Sequence, residues 1–93
     1  MPKTLLRSKA FIRAAKQKTA RNKDAVKQLC QALDMLRSDP YDPRLKTHKL
    51  KGELAGHLAC SAGYDLRIIF RFVPHADGEA VLLEAVGTHD EVY

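Results

Sequence analysis

Four histidines are spread through this chain of 93 residues, at His48, His57, His75 and His89, and their surroundings set them apart. His48 follows Lys46-Thr47 and precedes Lys49-Leu50-Lys51, a cationic setting suited to a phosphate. His89 stands two residues beyond Gly87, just past an expected strand end, where the chain turns sharply. Loop and strand-end residues carried by a rigid sheet are common catalytic positions. His57 alternates with apolar neighbours and His75 sits beside Pro74 in an expected turn, so a structural or surface role is the simpler reading for both. Together with Asp65 and Arg71, His48 and His89 form an inventory for acid–base cleavage of RNA. The nucleophile in that reaction is the substrate's own 2′-OH. The protein supplies a base, an acid for the leaving 5′-oxygen, and positive charge for the crowded phosphate. Residue types alone do not make this set specific.

Other chemistries fit less well. No two histidines have the i, i+4 spacing of a helical zinc site, and there is no Cys-x-x-Cys. There is no Gly-x-Ser-x-Gly elbow and no glycine-rich phosphate loop. Cys30 and Cys60 fall in apolar stretches of an expected helix and strand, which suits buried free thiols in a reducing compartment.

The elements that must carry these residues follow from periodicity. Residues 3–7 suit a short first strand, and Ser8 suits the N-cap of a helix containing Phe11, Ile12, Ala14 and Ala15. A break is expected at Thr19–Asn22, with Asn22 capping a second helix and Asp24 in its first turn. Val26, Leu29, Cys30, Leu33 and Leu36 mark one face of that helix, and Asp39-Pro40 ends it. A loop is expected over 38–52. Beyond it the period changes to two, with Leu54, Leu58 and Cys60 alternating up to a turn at Ser61-Ala62-Gly63. Tyr64 to Val73 is the clearest strand, followed by a turn over Pro74–Gly78 and a last strand from Ala80 to Val86. Helices followed by strands indicate an α+β fold, with two N-terminal helices packed on one face of a small antiparallel sheet. Leu66, Ile68, Phe70 and Phe72 would meet the helices. The other face would hold Asp65, Arg67, Ile69 and Arg71, with His57 on the neighbouring strand.

Charge divides the chain. Residues 1–51 hold 14 Lys/Arg and 4 Asp/Glu, whereas residues 52–93 hold 2 and 7. A +10 N-terminal half favours a polyanion or an acidic protein as partner. No apolar run reaches the roughly 20 residues that span a bilayer, and the start Met1-Pro2-Lys3-Thr4 lacks a signal core. A cytoplasmic protein without a membrane partner is expected.

The segments His48-Lys-Leu-Lys-Gly52, Tyr64-Asp-Leu-Arg-Ile-Ile-Phe-Arg71 and Val86-Gly-Thr-His-Asp-Glu-Val-Tyr93 resemble the YafQ branch of the RelE superfamily. The likeness extends through the order of elements over residues 1–93 as one domain, and is sharpest from His48 onward. It implies the toxin of a type II toxin–antitoxin pair, an endoribonuclease that cuts mRNA, generally on the translating ribosome. It also implies neutralisation by an acidic antitoxin, and no cofactor is expected. Residue by residue, His48 matches the family's loop histidine, Asp65 its strand aspartate and His89 its C-terminal histidine. Tyr93 stands where YafQ-like chains have a Phe near the end. The resemblance implies Asp65 or His48 as base and His89 as acid. Lys49, Lys51, His57, Arg67, Arg71 and Tyr93 are the expected substrate contacts, with Arg71 placed at the phosphate because it shares a strand face with Asp65. One departure is Ser61, where such proteins often carry another histidine; His57, on the same alternating face, is the candidate to compensate. The alternative is a ParE-like toxin that inhibits DNA gyrase by binding, which would not need His48, Asp65 and His89. A purely RNA-binding relative would need base-stacking aromatics, and mainly Tyr41, Tyr64 and Tyr93 fall outside the expected core.

Overall fold

A computed structural model describes residues 3–76 and 78–93; Met1, Pro2 and Asp77, the last from the expected turn at 74–78, lie outside the described residues. The chain runs β1 (Thr4–Arg7), α1 (Lys9–Thr19), α2 (Lys23–Ser38), β2 (His48–Lys49), β3 (Leu58–Ala62), β4 (Leu66–His75), β5 (Gly78–Thr88) and α3 (His89–Val92). Short 3-10 turns at Pro43–Leu45 and Gly52–Leu54 flank β2. The two expected helices form, and both expected caps act: Ser8 Oγ accepts from Phe11 N at 3.0 Å and Asn22 Oδ1 from Ala25 N at 3.0 Å.

The strands form one sheet in the order β1-β5-β4-β3-β2. β2 through β5 pair antiparallel, but β1 lies parallel to β5, so the sheet is mixed rather than wholly antiparallel. The helical crossover from β1 permits this, because parallel neighbours need a long connection and antiparallel ones only a hairpin. Leu58, Cys60, Leu66, Ile68, Phe70, Val81, Leu83 and Val86 face the helices and pack with Phe11, Leu29, Leu36 and Leu45.

Several boundaries and faces differ from the sequence reading. β3 begins at Leu58, while Leu54 sits in a 3-10 turn and His57 just precedes the strand. The hairpin turn is Gly63–Asp65 rather than 61–63, so Tyr64 and Asp65 are exposed turn residues. β4 runs on through Pro74 and His75, and β5 continues through Gly87 to Thr88. On α2 the buried positions are Ala25, Leu29, Ala32 and Leu36, whereas Val26 and Cys30 are exposed. Alanines let the helix approach the sheet closely, so the small residues turn inward in place of the larger ones beside them. Cys60 is buried as expected, and burial pushes its thiol up to about 12, which leaves it inert.

The expected 38–52 loop is ordered by its own sequence. Asp42 caps the Pro43–Leu45 turn by accepting from Arg44 N at 2.9 Å, and Leu45 is fully buried. Lys46 then takes a left-handed conformation that turns the chain into β2. This anchor fixes His48, the first residue of β2.

Phe70 is fully buried at the centre of β4, touching Phe72 edge-on at 5.9 Å between centroids. Phe70→Ala should cost about 3–5 kcal/mol of stability in denaturant melts, while Cys30→Ser on the exposed face of α2 should change it by less than about 0.5 kcal/mol.

Candidate active site

β-sheet register places the chemistry-bearing side chains on the face away from α1 and α2. His48 is opposite Ala59, which is opposite Ile69 and then Ala85. The next row runs Ser61, Arg67, Gly87. Residues directly opposite share a face, so His48 and Arg67 project from neighbouring rows of one surface.

The expected uncovered face is partly roofed. After Thr88 the chain turns into α3 and packs back on β4 and β5. A Cβ on Gly87 would lie 3.1 Å from Glu91 Cβ and 3.2 Å from Val92 Cγ1. Gly87 therefore does not end the strand; its missing side chain is what lets α3 close over it. Glu91 completes a capping box by accepting from Thr88 N at 2.8 Å, and it also accepts from Lys18 Nζ at 2.6 Å. The end of α1 thereby clasps the C-terminal turn.

That closure delivers Tyr93 between two histidines. Its hydroxyl stands 3.5 Å from His48 Nε2, and its ring meets the His89 ring edge-on at 4.4 Å. His48 Nδ1 lies 3.1 Å from Lys46 O. A carbonyl can only accept, so Nδ1 donates to Lys46 O, and this bond turns Nε2 toward Tyr93 and solvent. Burial raises the Tyr93 phenol above its ordinary pKa, against an opposing pull from nearby Arg67, so at neutral pH it remains an O–H donor. His89 is two-thirds exposed, with Nδ1 3.5 Å from Asp90 Oδ1.

The remaining expected contacts divide. Arg67 belongs to the group, half-buried, with Nη1 donating to Leu66 O at 3.0 Å. Lys49 and Lys51 are both exposed on the β2 segment, but Lys49 pairs with Leu58 of the helix-facing set and not with the His48 row. Asp65, in the turn and not in the strand, makes no hydrogen bond or ion pair among the described residues. Arg71 and His57 are joined to a residue that sequence reasoning missed. β5 carries a bulge where Ile69 opposes Ala85 but Phe70 opposes Leu83, which leaves Glu84 as the extra residue. Bulges re-aim a side chain, and Glu84 lies 3.4 Å from His57 Nε2 and 3.6 Å from Arg71 Nε. Arg71 is thus partly neutralised. His57 is committed to Glu84 rather than to the gap at Ser61, and its Nδ1 is buried without a partner among the described residues. A lone carboxylate within the apolar run Val81–Val86 was the available signal. Among the described residues no group of three His, Cys, Asp or Glu gathers as a metal site.

The family model for the bacterial toxin of type II toxin–antitoxin systems, YafQ, matches residues 3–93. The chain belongs to this family. Of solved structures, YafQ from E. coli BL21(DE3) superposes with a TM-score of 0.77 at 20% identity, over 98% of both chains. A metal-bound toxin from Helicobacter pylori gives 0.76 at 26% identity over 100% of both. A YoeB/ParE toxin from Agrobacterium tumefaciens gives 0.78 at 15% identity, over 92% of this chain and 98% of that one. YafQ in the E. coli DinJ-YafQ toxin–antitoxin complex superposes at 0.76 with 20% identity, over 100% of this chain and 99% of that one. No curated protein sequence gives a match. The YafQ-type toxin fold is thus common to this chain and its relatives, and no helix among its described residues is long and apolar enough to cross a membrane.

Glu91 links the clasp to pH. Hydrogen bonds from Lys18, then from Thr88, hold its carboxyl down at about 2, from an ordinary 4.5. A depressed carboxylate pKa gives stability that is full above the ordinary value and is lost as pH falls through the folded one. Docking of α3 should therefore loosen between about pH 4.5 and pH 2. Tyr93 side-chain NMR signals should shift over that range, and Glu91→Gln should flatten the response.

Proposed function

We propose that this YafQ-family toxin is an endoribonuclease that cuts mRNA on the translating ribosome by acid–base catalysis without a metal. The observation that carries the reading is Tyr93 standing between His48 and His89, beside Arg67, on one face of the sheet. In this scheme His48 Nε2, with Nδ1 anchored on Lys46 O, takes the proton from the attacking 2′-OH. His89 gives a proton to the departing 5′-oxygen. Arg67 offsets charge on the pentacoordinate phosphate, and the Tyr93 hydroxyl donates to whichever acceptor stands before it, the base at rest or the phosphate in reaction. Lys49 and Lys51 hold the RNA backbone. Asp65, solvent-exposed at the hairpin turn, suits a role at the periphery of the bound RNA better than that of the base, so of the two candidate bases the geometry favours His48. Arg71, which shares Glu84 with His57, adds positive charge from a neighbouring row of the sheet.

An acidic antitoxin is the natural inhibitor, as DinJ accompanies YafQ in the solved complex. α1 has basic residues and no acid in its sequence, and no ion pair engages Lys9, Arg13 or Lys16 among the described residues. Exposed Ile12 lies among them and supplies an apolar anchor. Association with the antitoxin should slow markedly as salt shortens the Debye length from about 10 Å at 0.1 M to about 3 Å at 1 M. Stopped-flow rates independent of ionic strength would remove the electrostatic component.

The decisive test is His89→Ala. General acid–base groups contribute roughly 10²–10⁴-fold, and single-turnover cleavage should fall by about that factor, with ribosome binding and the thermal melt little changed. Products should end in a 2′,3′-cyclic phosphate and a 5′-hydroxyl. A folded His89→Ala that cuts at the parental rate, or 5′-phosphate ends, would overturn the mechanism. DNA breaks with intact message in expressing cells would point to gyrase inhibition instead.

A further inference from the structure

A cleft of about 510 Å³ lies beside the His48–Tyr93–His89 group rather than within it. It is lined by Arg44 and Lys46 of the segment before β2, Ser61 and Arg67 of the sheet, Gly63 and Tyr64 of the hairpin turn, and Gln31 and Met35 of α2. This size is within the range of sites that enclose a small ligand, about 300–1,000 Å³. Three cations and no carboxylate line it. Asp42 engages Arg44 through Nε and Nη2, at 3.0 and 2.8 Å, which leaves the other guanidinium N–H groups free to donate. Asp34 lines only a neighbouring hollow that shares Arg44.

Tyr64 gives the cleft a chemical identity. Of the three tyrosines, Tyr41 packs against Phe72 at 6.2 Å and Tyr93 against His89 at 4.4 Å. Tyr64 has no ring partner among the described residues and is 92% exposed. An unstacked aromatic at the mouth of a cationic cleft is the combination that holds single-stranded nucleic acid, with the ring taking a base and the cations its phosphates. The cleft is continuous with the catalytic face at two points. Arg67 is common to both, and Lys46 is the residue whose carbonyl anchors His48. Ser61, a small side chain, lines the cleft together with Lys46 and Arg67.

We infer that this cleft is a subsite for a nucleotide flanking the scissile phosphate, its base stacked on Tyr64 and its phosphate held by Arg44 and Lys46. The inference rests on the RNA-cutting reading above and assigns a second contact to the same substrate. Substitution of Tyr64 touches an exposed turn and leaves the core intact.

The test is cleavage of message on purified translating ribosomes by the full chain, measured at increasing toxin concentration. Tyr64→Ala should raise the half-saturating concentration about 5- to 150-fold, the range of a lost base stack, with the rate at saturation within about threefold. Tyr64→Phe, which keeps the ring, should behave as the parent, and Lys46→Gln should shift saturation in the same direction as Tyr64→Ala. A parental chain that leaves message intact overturns the RNA-cutting reading and the subsite together. A parent that cuts, with Tyr64→Ala indistinguishable from it, overturns the subsite alone. Equal losses in Tyr64→Ala and Tyr64→Phe assign the effect to the hydroxyl and overturn stacking. Weakened antitoxin binding with unchanged cleavage gives the cleft to the protein partner instead.

Discussion

The β4–β5 ladder is the constraint on which the rest of the molecule depends. β5 pairs with β1 on its other side, α1 and α3 pack on it, and β4 carries β3 and through it β2. One face of the ladder is a continuous apolar surface, and its burial against α1 and α2 is the main driving force for folding. A sheet side chain that points away from that surface cannot leave its face without a register slip, and a slip would turn Ile68, Phe70 and Leu83 out into water. Arg67 and Arg71 are therefore held on the outer face by the same burial that holds the core.

Two local irregularities turn this scaffold into a site. The bulge at Glu84 interrupts the alternation of β5 and brings a carboxylate between Arg71 and His57. Gly87 removes a side chain where α3 must pass, and the capping box at Thr88 starts the turn that returns Tyr93 to His48. Both irregularities fall on β5, an interior strand paired on both sides, where displacement is strongly resisted. The clasp from Lys18 to Glu91 adds a tie between the basic helix α1 and this returning segment. Charge separation along the chain is thus partly cancelled in space. Lys3 pairs with Glu79 and Lys18 with Glu91, joining basic N-terminal to acidic C-terminal residues, while the outer positions of α1 stay uncompensated.

Local sequence was sufficient for the features that depend on neighbours in the chain. Ser8 and Asn22 announced both helix starts, Asp39-Pro40 the end of α2, and the alternation of Leu66, Ile68, Phe70 and Phe72 the face that meets the helices. The motifs around His48 and His89, with Tyr93 at the end, were enough to suggest the family to which residues 3–93 belong. Caps, proline breaks and strand alternation act over a few residues, so they are written in consecutive letters.

What the tertiary structure decided was everything that depends on how distant segments meet. Parallel pairing of β1 with β5, the inward turn of Ala25 and Ala32 in place of Val26 and Cys30, and the commitment of His57 to Glu84 each follow from packing between elements far apart in sequence. Gly87 read as a strand breaker because a glycine's local effect is flexibility; its actual role is to make space for residues that return from beyond the strand end. The sequence by itself determined which side chains are available for acid–base chemistry and which strand presents Arg67 and Arg71. That His48, Tyr93 and His89 meet, and that Asp65 stands apart in a turn, was decided by the closure of α3 over the sheet, a contact between surfaces that no periodicity along the chain encodes.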